Sequence, residues 1–403
     1  MRKISIIYIL LFTASCYAKV FVGADVAINN PDLYFKGERI YLLTNHSGRT
    51  SDGILTADKF LSNPSINLKS IMVPEHGFYT AVRAGEKVKD DKWKNQIPII
   101  SLYGATRKPT KKILEGCDRV VVDIQDIGVR SYTYISTLFE TMQACAENGK
   151  KITVLDRPNP LGGITVDGNI PDEGISNFVC RIPVTYLHGL TIGELALMIN
   201  GEGWLGENLK CELEVVKMEG YERWMHWEDT DLQWFPTSPH VPTVDAVRGI
   251  ATTGVFGELG FISVGVGTTL PFQYIGKPNL NNIEGFFSYF EFGGVSFHFN
   301  RYQPFYGMYS GKDVPGYLLR FSNTEHGMYY SAGFKMIEKI HQQYPDIFVS
   351  IPTNTKGMDM FKKVTGTDKL LSMLINSDFK NLDIVLENGR IEFSEKREKY
   401  LLY

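Results

Sequence analysis

A chain of 403 residues is too long for one small core and predicts two domains, or a single large α/β barrel. Its 42 basic and 45 acidic residues leave a net charge of −3, which gives no reason to expect nucleic acid or another polyanion as a partner. Aromatic residues make up 12% of the chain, which is compatible with carbohydrate binding by ring stacking, although most such rings pack in protein cores.

Residues 1–18 are predicted to be a signal peptide. Two basic residues precede an apolar run from Ile4 to about Phe12, and small residues follow that run. Cleavage after Ala18 would give a periplasmic or secreted protein. TASC also resembles a loose lipobox, in which Cys16 would carry a lipid anchor and provide the one link to a membrane. Because this box lacks the usual Leu, the soluble product is favoured.

The other four cysteines are widely spaced and predict no structural metal site. The chain has no CxxC pair and no His at zinc-site spacing. One disulfide is open in an exported protein, but a chain of this size stabilises itself, so we expect buried free thiols. These cysteines are Cys117, Cys145, Cys180 and Cys211.

From residue 39 onwards, predicted strands alternate with predicted helices. The strands are IYLLTN, LKSIMVP, PIISLYG, RVVVDI and KITVLD, and the helices are TADKFLSN, PTKKILEGC and a longer one from about Tyr134 to Asn148. Apolar strands separated by helices are typical of a parallel sheet that is covered on both faces. We therefore predict an α/β fold with a doubly wound, Rossmann-like domain over residues 19–246.

The second half is predicted to be a smaller α+β domain over residues 247–403. The Pro-rich stretch WFPTSPHVPTVDA at 234–246 continues neither a helix nor a central strand, so the boundary is placed near its end. Beyond it, VSFHF and YLLRFS indicate strands, and helices are expected around 328–344 and 367–376.

No nucleotide cofactor is predicted for the first domain. GxGxxG does not follow its first strand, and GxxxxGK[ST] is absent from the chain. The GVG at 265–267 is better interpreted as a tight turn. Four polar segments, NHSG, PEHGF, DIQDIGVR and DRPNPLGG, instead end the predicted strands at the carboxyl edge of the sheet, where ligands bind in such folds.

Glu75 and His76 are the first candidate catalytic residues. At the end of an apolar strand a carboxyl group can be partly desolvated, which raises its pKa and suits it to act as a general acid. His76 would orient or tune that carboxyl. The alternative is that Glu75 caps a turn while His76 packs. Arg83 and Glu86 follow in the same loop, and Arg83 is a candidate for substrate binding.

The segment after RVVVDI supplies the next candidates. Asp123 and Asp126 are potential second carboxylates, and Arg130 suits bidentate binding of a substrate carboxylate. Tyr132 and Tyr134 would line the same pocket. The alternative is that these charges form internal ion pairs.

Two other strand ends add three candidate substrate-binding residues. Asn45 comes from NHSG, and Arg157 and Asn159 come from DRPNPLGG, although Arg157 could equally stabilise a Pro-rich loop with Asp156. A metal site or a Ser nucleophile has no supporting motif, since HExxH and GxSxG are both absent.

Glycoside hydrolysis commonly requires two carboxyl groups, and the first half of the chain supplies candidates for both. One group protonates the leaving oxygen, and a second acts as base or nucleophile. Glu75 could be partnered by Asp123, Asp126 or Glu86. For a 2-acetamido sugar, the substrate's own amide offers a third route that needs fewer protein carboxylates.

Taken together, these and other segments of the chain are similar to those of one known family. The chain resembles the exo-acting β-N-acetylmuramidases, bacterial peptidoglycan glycoside hydrolases formerly catalogued as a domain of unknown function. The similar segments occur in order from about residue 20 to the C-terminus. They are LLTNHSG, VPEHGF, AGEKV, SLYG, VVVDIQDIGVRSYTYISTL, VLDRPNPLGG, HGLTIGELA, PTSPHVPT and SVGVGTTLPFQYIG.

This resemblance implies a fold, a site and a substrate. A Rossmann-like domain and a smaller C-terminal domain would enclose the active site in the cleft between them. Members of the family remove N-acetylmuramic acid from the non-reducing end of peptidoglycan-derived glycans. On that analogy Glu75 is the leading acid/base with His76 beside it, and Arg130, Tyr132 and Tyr134 are pocket residues. An Arg suits the lactyl carboxylate of muramic acid.

The sequence departs from the family at two positions. Members often carry Arg after SxG and again after GTT, whereas this chain has Val266 and Leu270 there. Which basic groups of the second domain reach the substrate is therefore open.

We predict a periplasmic or secreted exo-β-N-acetylmuramidase that uses Glu75, with no cofactor and no metal. Its partners would be muramic-acid-terminated disaccharides or oligosaccharides. Two rivals remain: a non-catalytic muropeptide-binding protein, and a metal-dependent hydrolase using Asp123, Asp126 and His188.

Overall fold

The structure, a computed structural model, describes residues 19–94, 96–280, 289–322, 327–344 and 355–403. The predicted signal peptide, with Cys16, lies outside the described residues. Among the helices that are described, none combines the length and the apolar character needed to cross a bilayer.

A seven-stranded sheet forms the centre of the first half. Its strands lie in the order β3-β4-β2-β1-β5-β6-β7, and all pairs are parallel except β3 with β4. The chain moves outward from β1 in one direction and then returns to add β5, β6 and β7 on the other side, which confirms the predicted doubly wound fold. The strands are β1 (Arg39–Thr44), β2 (Asn67–Val73), β3 (Asp91–Trp93), β4 (Ile97–Ser101), β5 (Arg119–Asp123), β6 (Lys151–Leu155) and β7 (Glu212–Val216).

The helices of the first half cover both faces of this sheet. The β-branched run Val120–Val122 keeps β5 extended, and all five residues of β5 are buried because helices pack on either side. Thr191 begins α6 with a capping box, in which its hydroxyl accepts from the Glu194 amide. The helices are α1 (Gly23–Asn29), α2 (Pro31–Tyr34), α3 (Thr56–Ser62), α4 (Lys111–Leu114), α5 (Thr133–Glu147) and α6 (Ile192–Gly201).

The second half contains a smaller antiparallel sheet and six helices among its described residues, which confirms the predicted α+β class. The strand order is β8-β11-β10-β9. The strands are β8 (Tyr274–Gly276), β9 (Tyr289–Phe292), β10 (Val295–Tyr302) and β11 (Val314–Phe321). The helices are α7 (Val244–Gly257), α8 (Tyr329–Gln343), α9 (Thr355–Thr365), α10 (Lys369–Asn376), α11 (Leu382–Leu386) and α12 (Arg390–Arg397).

Helix α7 begins earlier than the Pro-rich pattern suggested. The Thr243 hydroxyl accepts from the Ala246 amide and caps the helix, so the boundary placed near residue 246 lies in its first turn. Helix α8 packs closely on α7, because a Cβ at Gly333 would lie 2.0 Å from the carbonyl oxygen of Thr252.

Apolar side chains fill both faces of the large sheet. Under α1 and α3 the rings of Phe35 and Phe60 meet edge to face at 5.2 Å. Under α5 and α6 the core continues into the second half, where Phe256 and Phe334 are 4.9 Å apart. The two halves therefore share a hydrophobic core. The expected thiols are free and buried at Cys117, Cys145, Cys180 and Cys211.

The last residues of the chain pack back onto the first domain. The Arg397 guanidinium donates to the carbonyls of His188 and Gly189. The Tyr403 hydroxyl donates to Asp156 Oδ2 at 2.8 Å, at the carboxyl end of β6. Residues 397–403 thus complete a part of the first domain.

Candidate active site

A cavity of about 340 Å³ lies at the carboxyl edge of the large sheet, between the two halves of the chain. This volume is at the lower end of the range for small-molecule sites, about 300 to 1,000 Å³. The first half contributes residues that follow β2, β4 and β5, and the second half contributes residues of α7 and α9. The polar lining includes Glu75, His76, Tyr103, Tyr132, His240 and Glu258.

A tight turn after β2 presents Glu75 to the cavity. Pro74 ends the strand, and its carbonyl accepts from the Gly77 amide at 3.1 Å. His76 and Gly77 both have φ of 72°, a left-handed conformation that is costly for a residue with a side chain. The PEHG sequence therefore stores local strain at the point where the carboxyl enters the cavity.

Both carboxyl oxygens of Glu75 accept hydrogen bonds. The Gly85 amide donates to Oε1 at 2.7 Å, and the Thr133 hydroxyl donates to Oε2 at 2.6 Å. The side chain is held from two elements, the loop after β2 and the first turn of α5. Only 5% of Glu75 is exposed, so its carboxyl is oriented and largely shielded from bulk solvent.

Tyr103 lies beside Glu75 at the end of β4. Burial, and then the negative charge of Glu75, raise the pKa of Tyr103 to about 12. The phenol therefore keeps its proton at neutral pH and faces the carboxylate as a donor.

Two histidines line the same cavity. His76 Nδ1 is 2.8 Å from the carbonyl oxygen of Val82, so this nitrogen carries a proton and donates to that carbonyl. His240 Nε2 is 3.0 Å from the hydroxyl of Tyr306. Burial lowers the pKa of His240, and the nearby positive charges of His76 and Arg83 lower it further. His240 is therefore a neutral hydrogen-bonding group at pH 7.

Asp123 does not reach the cavity. Its carboxyl is fully buried and accepts from Arg157 Nε at 2.6 Å, while Arg157 also donates to the carbonyl of Arg49. This ion pair ties the loops after β1, β5 and β6 together. It is the internal pairing that the sequence left open as the alternative to a catalytic carboxylate and a substrate-binding Arg.

Asp126 does not line the cavity either, but it holds the turn that follows β5. Its Oδ2 accepts from the Gly128 amide at 2.8 Å and lies 3.7 Å from His188 Nε2. Gly128 has φ of 78°, so Asp126 holds a turn that only glycine adopts readily. The next residues, Ile127 and Val129, line the cavity floor.

Arg130 stabilises backbone and not a pocket for a substrate carboxylate. Its guanidinium donates to the carbonyls of Asn169, Val184 and Thr365 at 2.6 to 2.8 Å. Only 1% of the residue is exposed, and it is absent from the cavity lining. The two terminal nitrogens of Arg130 donate to carbonyls of both halves and so join them, and the buried side chain has no accessible face for a ligand.

The two predicted tyrosines have different positions. Tyr132 lines the cavity and donates to the Thr237 hydroxyl at 2.8 Å. Tyr134 is fully buried: it accepts from Asn45 Nδ2 and donates to the Thr237 carbonyl, each at 2.6 Å. Asn45 and Tyr134 therefore hold Thr237 in place, and the next residue, Ser238, lines the cavity.

The last two predicted binding residues differ in exposure. Asn159 is buried in a turn, where it donates to the Leu190 carbonyl and accepts from the Leu161 amide. Arg83 is exposed and precedes Ala84 and Gly85, which line the cavity. Of the arginines predicted to bind substrate, Arg83 is the one at the cavity rim. The roles of Glu75, His76, Tyr132 and Arg83 stay predictions.

Several lining residues were not predicted from the sequence, among them Tyr103, Tyr186, Glu258 and Phe272. Tyr103 was detectable, because SLYG ends a strand at the same edge as PEHG. Tyr186 and Phe272 lie on irregular segments that carry no local signal. Glu258 follows α7 and reaches the cavity only through the packing of the second half against the sheet.

Two further points concern the metal-dependent alternative and the positions where the family often has Arg. Within the described ranges, no three His, Cys, Asp or Glu side chains are grouped as a metal site. Val266, where the family often has Arg, lines an adjoining space of about 260 Å³.

Comparison with known proteins gives consistent results. Residues 40–245 match the N-terminal domain of exo-β-N-acetylmuramidase NamZ, and residues 251–403 match its C-terminal domain. The peptidoglycan β-N-acetylmuramidase NamZ of Bacillus subtilis strain 168 is 35% identical over 391 residues, which cover 96% of this chain and 92% of that protein.

Two crystal structures from Bacteroides fragilis NCTC 9343 have the same fold. Both are of DUF1343 family proteins. One has a TM-score of 0.85 at 34% identity, and the other has a TM-score of 0.70 at 28% identity. Each comparison covers 96% of this chain and 99% of the other.

Proposed function

The chain belongs to the exo-β-N-acetylmuramidase NamZ family, as its motifs indicated, and from that premise we propose that it hydrolyses the terminal N-acetylmuramic acid of peptidoglycan-derived glycans. The observation that carries this proposal is the oriented Glu75 carboxyl in a cavity between the two halves. A cavity of about 340 Å³ suits one sugar unit, which supports removal of a single sugar from a chain end.

Glu75 acts in this proposal as the acid/base carboxylate. Hydrolysis breaks the bond between the anomeric carbon and the bridging oxygen, and it requires a proton for the leaving oxygen and a base for the nucleophile. Glu75 exchanges protons with the reacting groups while Gly85 and Thr133 hold its orientation. His76 and Tyr103 supply polar groups beside it.

The lactyl carboxylate of muramic acid needs a positively charged or donor group. Among the described residues the cavity lining contains no Lys or Arg, and the segments 281–288, 323–326 and 345–354 contain none in their sequence. Arg83 at the rim is therefore the proposed partner, with His240 as a neutral donor inside the cavity. The guanidinium would recognise the carboxylate through charge-assisted hydrogen bonds.

We also propose that the protein is exported. The motivating observation is the basic, apolar and small-residue pattern of residues 1–18. N-terminal sequencing of the mature protein tests this proposal: a start at Lys19 supports a soluble product, whereas a lipid-modified Cys16 supports a membrane anchor.

Release of free N-acetylmuramic acid tests the function. The substrate is a disaccharide with a non-reducing N-acetylmuramic acid, and the wild type is compared with Glu75→Gln. We expect the wild type to release the sugar and Glu75→Gln to be at least about 100-fold slower, the lower range for loss of an acid/base group. Glu86 is exposed and lies outside the cavity lining, so the structure does not place it as a partner of Glu75. Glu86→Gln is therefore the matched control and should keep full activity.

The two rivals predict other outcomes. A muropeptide-binding protein would bind the disaccharide without cleaving it. Its affinity for the disaccharide, measured by calorimetry, would be nearly the same in Glu75→Gln as in the wild type. A metal-dependent hydrolase would lose activity on chelation and recover it with added metal. The ion pair that occupies Asp123 disfavours this second rival, because Arg157 already neutralises that carboxylate.

A further inference from the structure

Glycoside hydrolysis needs a second reacting group, and the structure offers one that the sequence did not reveal. Asp123 and Asp126 lie outside the cavity lining, whereas Glu258 lies in it with Glu75. These two are the carboxyl side chains among the described lining residues. We infer that Glu258 is the second catalytic carboxyl and donates the proton to the leaving oxygen, an inference that rests on the proposed function.

Glu258 reaches the cavity from the second half of the chain. Glu258 occupies the C-cap position of α7. Gly254 and Gly257, in the last turn of the same helix, have no side chains that could block its carboxyl from the cavity. Glu258 borders both the main cavity and the adjoining space of about 260 Å³. A group at this junction can contact the bond between a sugar in the main cavity and the unit beyond it.

The two carboxyls have different surroundings. Glu75 is held by two donors, the Gly85 amide on one oxygen and the Thr133 hydroxyl on the other. Within the described part of the chain, the Glu258 carboxyl forms no hydrogen bond or ion pair. Its neighbours in the adjoining space include Ile262, Val264 and Phe272.

This setting favours the protonated form of Glu258. Glu258 is an exposed residue by its accessible surface, yet the protein atoms around its carboxyl desolvate it in part and raise its pKa. The negative end of the α7 dipole acts in the same direction, because it disfavours a negative charge at a helix C-terminus. A carboxyl group whose surroundings favour its protonated form is suited to donate a proton to a leaving group.

The proton balance closes with these two groups. The Glu258 carboxyl gives its proton to the bridging oxygen as the bond from that oxygen to the anomeric carbon breaks. The departing sugar leaves with a hydroxyl group. The Glu75 carboxylate removes a proton from water as the water oxygen bonds to the anomeric carbon. Solvent exchange then returns a proton to Glu258 and removes one from Glu75, so each turnover consumes one water.

Substrates with different leaving groups test this division of roles. A disaccharide leaves as a sugar alkoxide that needs protonation, whereas a 4-nitrophenyl β-muramide leaves as a stable phenolate that does not. Glu258→Gln should lose about 100-fold or more on the disaccharide, the range for a general acid, but less than about 10-fold on the aryl substrate. Glu75→Gln should lose activity on both substrates.

The outcomes separate this inference from the proposed function. An equal loss on both substrates, or no loss on either, in folded Glu258→Gln would overturn proton donation by Glu258 while the wild type still cleaves. Inactivity of the wild type on both substrates would overturn the function itself. Glu258→Ala provides a second variant, and circular dichroism with thermal melting establishes that each variant is folded.

Discussion

Two sets of polar residues lie at the carboxyl edge of the large sheet: one set stabilises the protein, and the other lines the cavity. The strand-end network, which we define as Asn45, Asp123, Asp126, Arg130 and Arg157, is buried and bonded to protein groups. The cavity set presents Glu75, His76, His240 and Glu258 to a space that can hold a ligand. The comparison teaches that charge at a strand end marks a functional edge, while access to the cavity decides which charges can react.

The buried ion pair of the network should give the largest stability effect. Asp123→Ala leaves the Arg157 guanidinium buried without its carboxylate, which costs about 3 to 5 kcal/mol in such sites. Urea unfolding measures the loss. The control is Asp118→Ala, which breaks an exposed pair with Arg39 and should cost about 0 to 1 kcal/mol. Equal losses in the two variants would contradict the distinction between network and surface.

Arg130→Leu should come next, at about 3 kcal/mol. The substitution leaves buried carbonyls of Asn169, Val184 and Thr365 without a donor, and each unsatisfied group costs about 1 to 3 kcal/mol. The KM of the folded fraction should not change. A raised KM with unchanged stability would instead restore Arg130 as the binder of a substrate carboxylate.

Asp156 should make the stability of the protein depend on pH. Burial, and then the negative charge of Glu194, raise its pKa from 3.8 to about 7. The folded chain therefore holds this proton after the unfolded chain has released it, so the stabilisation is present at low pH and is lost as the pH rises from about 4 to about 7.

The size of this effect is set by opposing contributions. Hydrogen bonds from Thr191 and Tyr403 favour the ionised carboxylate, and the pKa of about 7 is what remains after they oppose burial. Each pKa unit corresponds to about 1.4 kcal/mol, so we expect a loss of about 3 kcal/mol between about pH 4 and about pH 7. Urea unfolding across this pH range measures it. Asp156→Asn should flatten the profile, and an unchanged profile in that variant would assign the dependence to other groups.

Arg83→Leu should have the smallest effect, because Arg83 is exposed at the cavity rim. Loss of a charge-assisted hydrogen bond to the lactyl carboxylate should raise KM about 10-fold, with little change in kcat or melting temperature. Lys87→Leu, an exposed charge of the same loop, is the matched control. If both variants raise KM equally, the effect reflects the general potential of the loop and not specific recognition.

The sequence predicted the central elements well because their signals are local. Apolar runs such as IYLLT and RVVVD coincide with β1 and β5, since a strand buried on both faces must be apolar along its length. Strand β7 escaped notice because ELEVV alternates charge with apolar residues at the sheet edge. Helix α7 escaped notice because prolines dominate the segment in which Thr243 caps it.

The site was predictable to a lesser degree, because it depends on contacts between distant segments. PEHG could be selected as a polar strand end, and the structure brings Glu75 to the cavity. Sequence could not distinguish whether Arg130 faces a ligand or carbonyl groups, since both uses require the same residue type. Glu258 has no local pattern at all, because only the docking of α7 places it opposite the sheet.

The contact between Tyr403 and Asp156 has a consequence for the order of folding. It joins residues 247 positions apart, and contacts of such separation form late because the intervening chain must first be brought together. During synthesis, β6 and its neighbours emerge from the ribosome long before the phenol that caps Asp156. Until then Thr191 and Gly193 hold this carboxyl from within the first domain, and the native set of contacts is complete only when the end of the second domain returns to it.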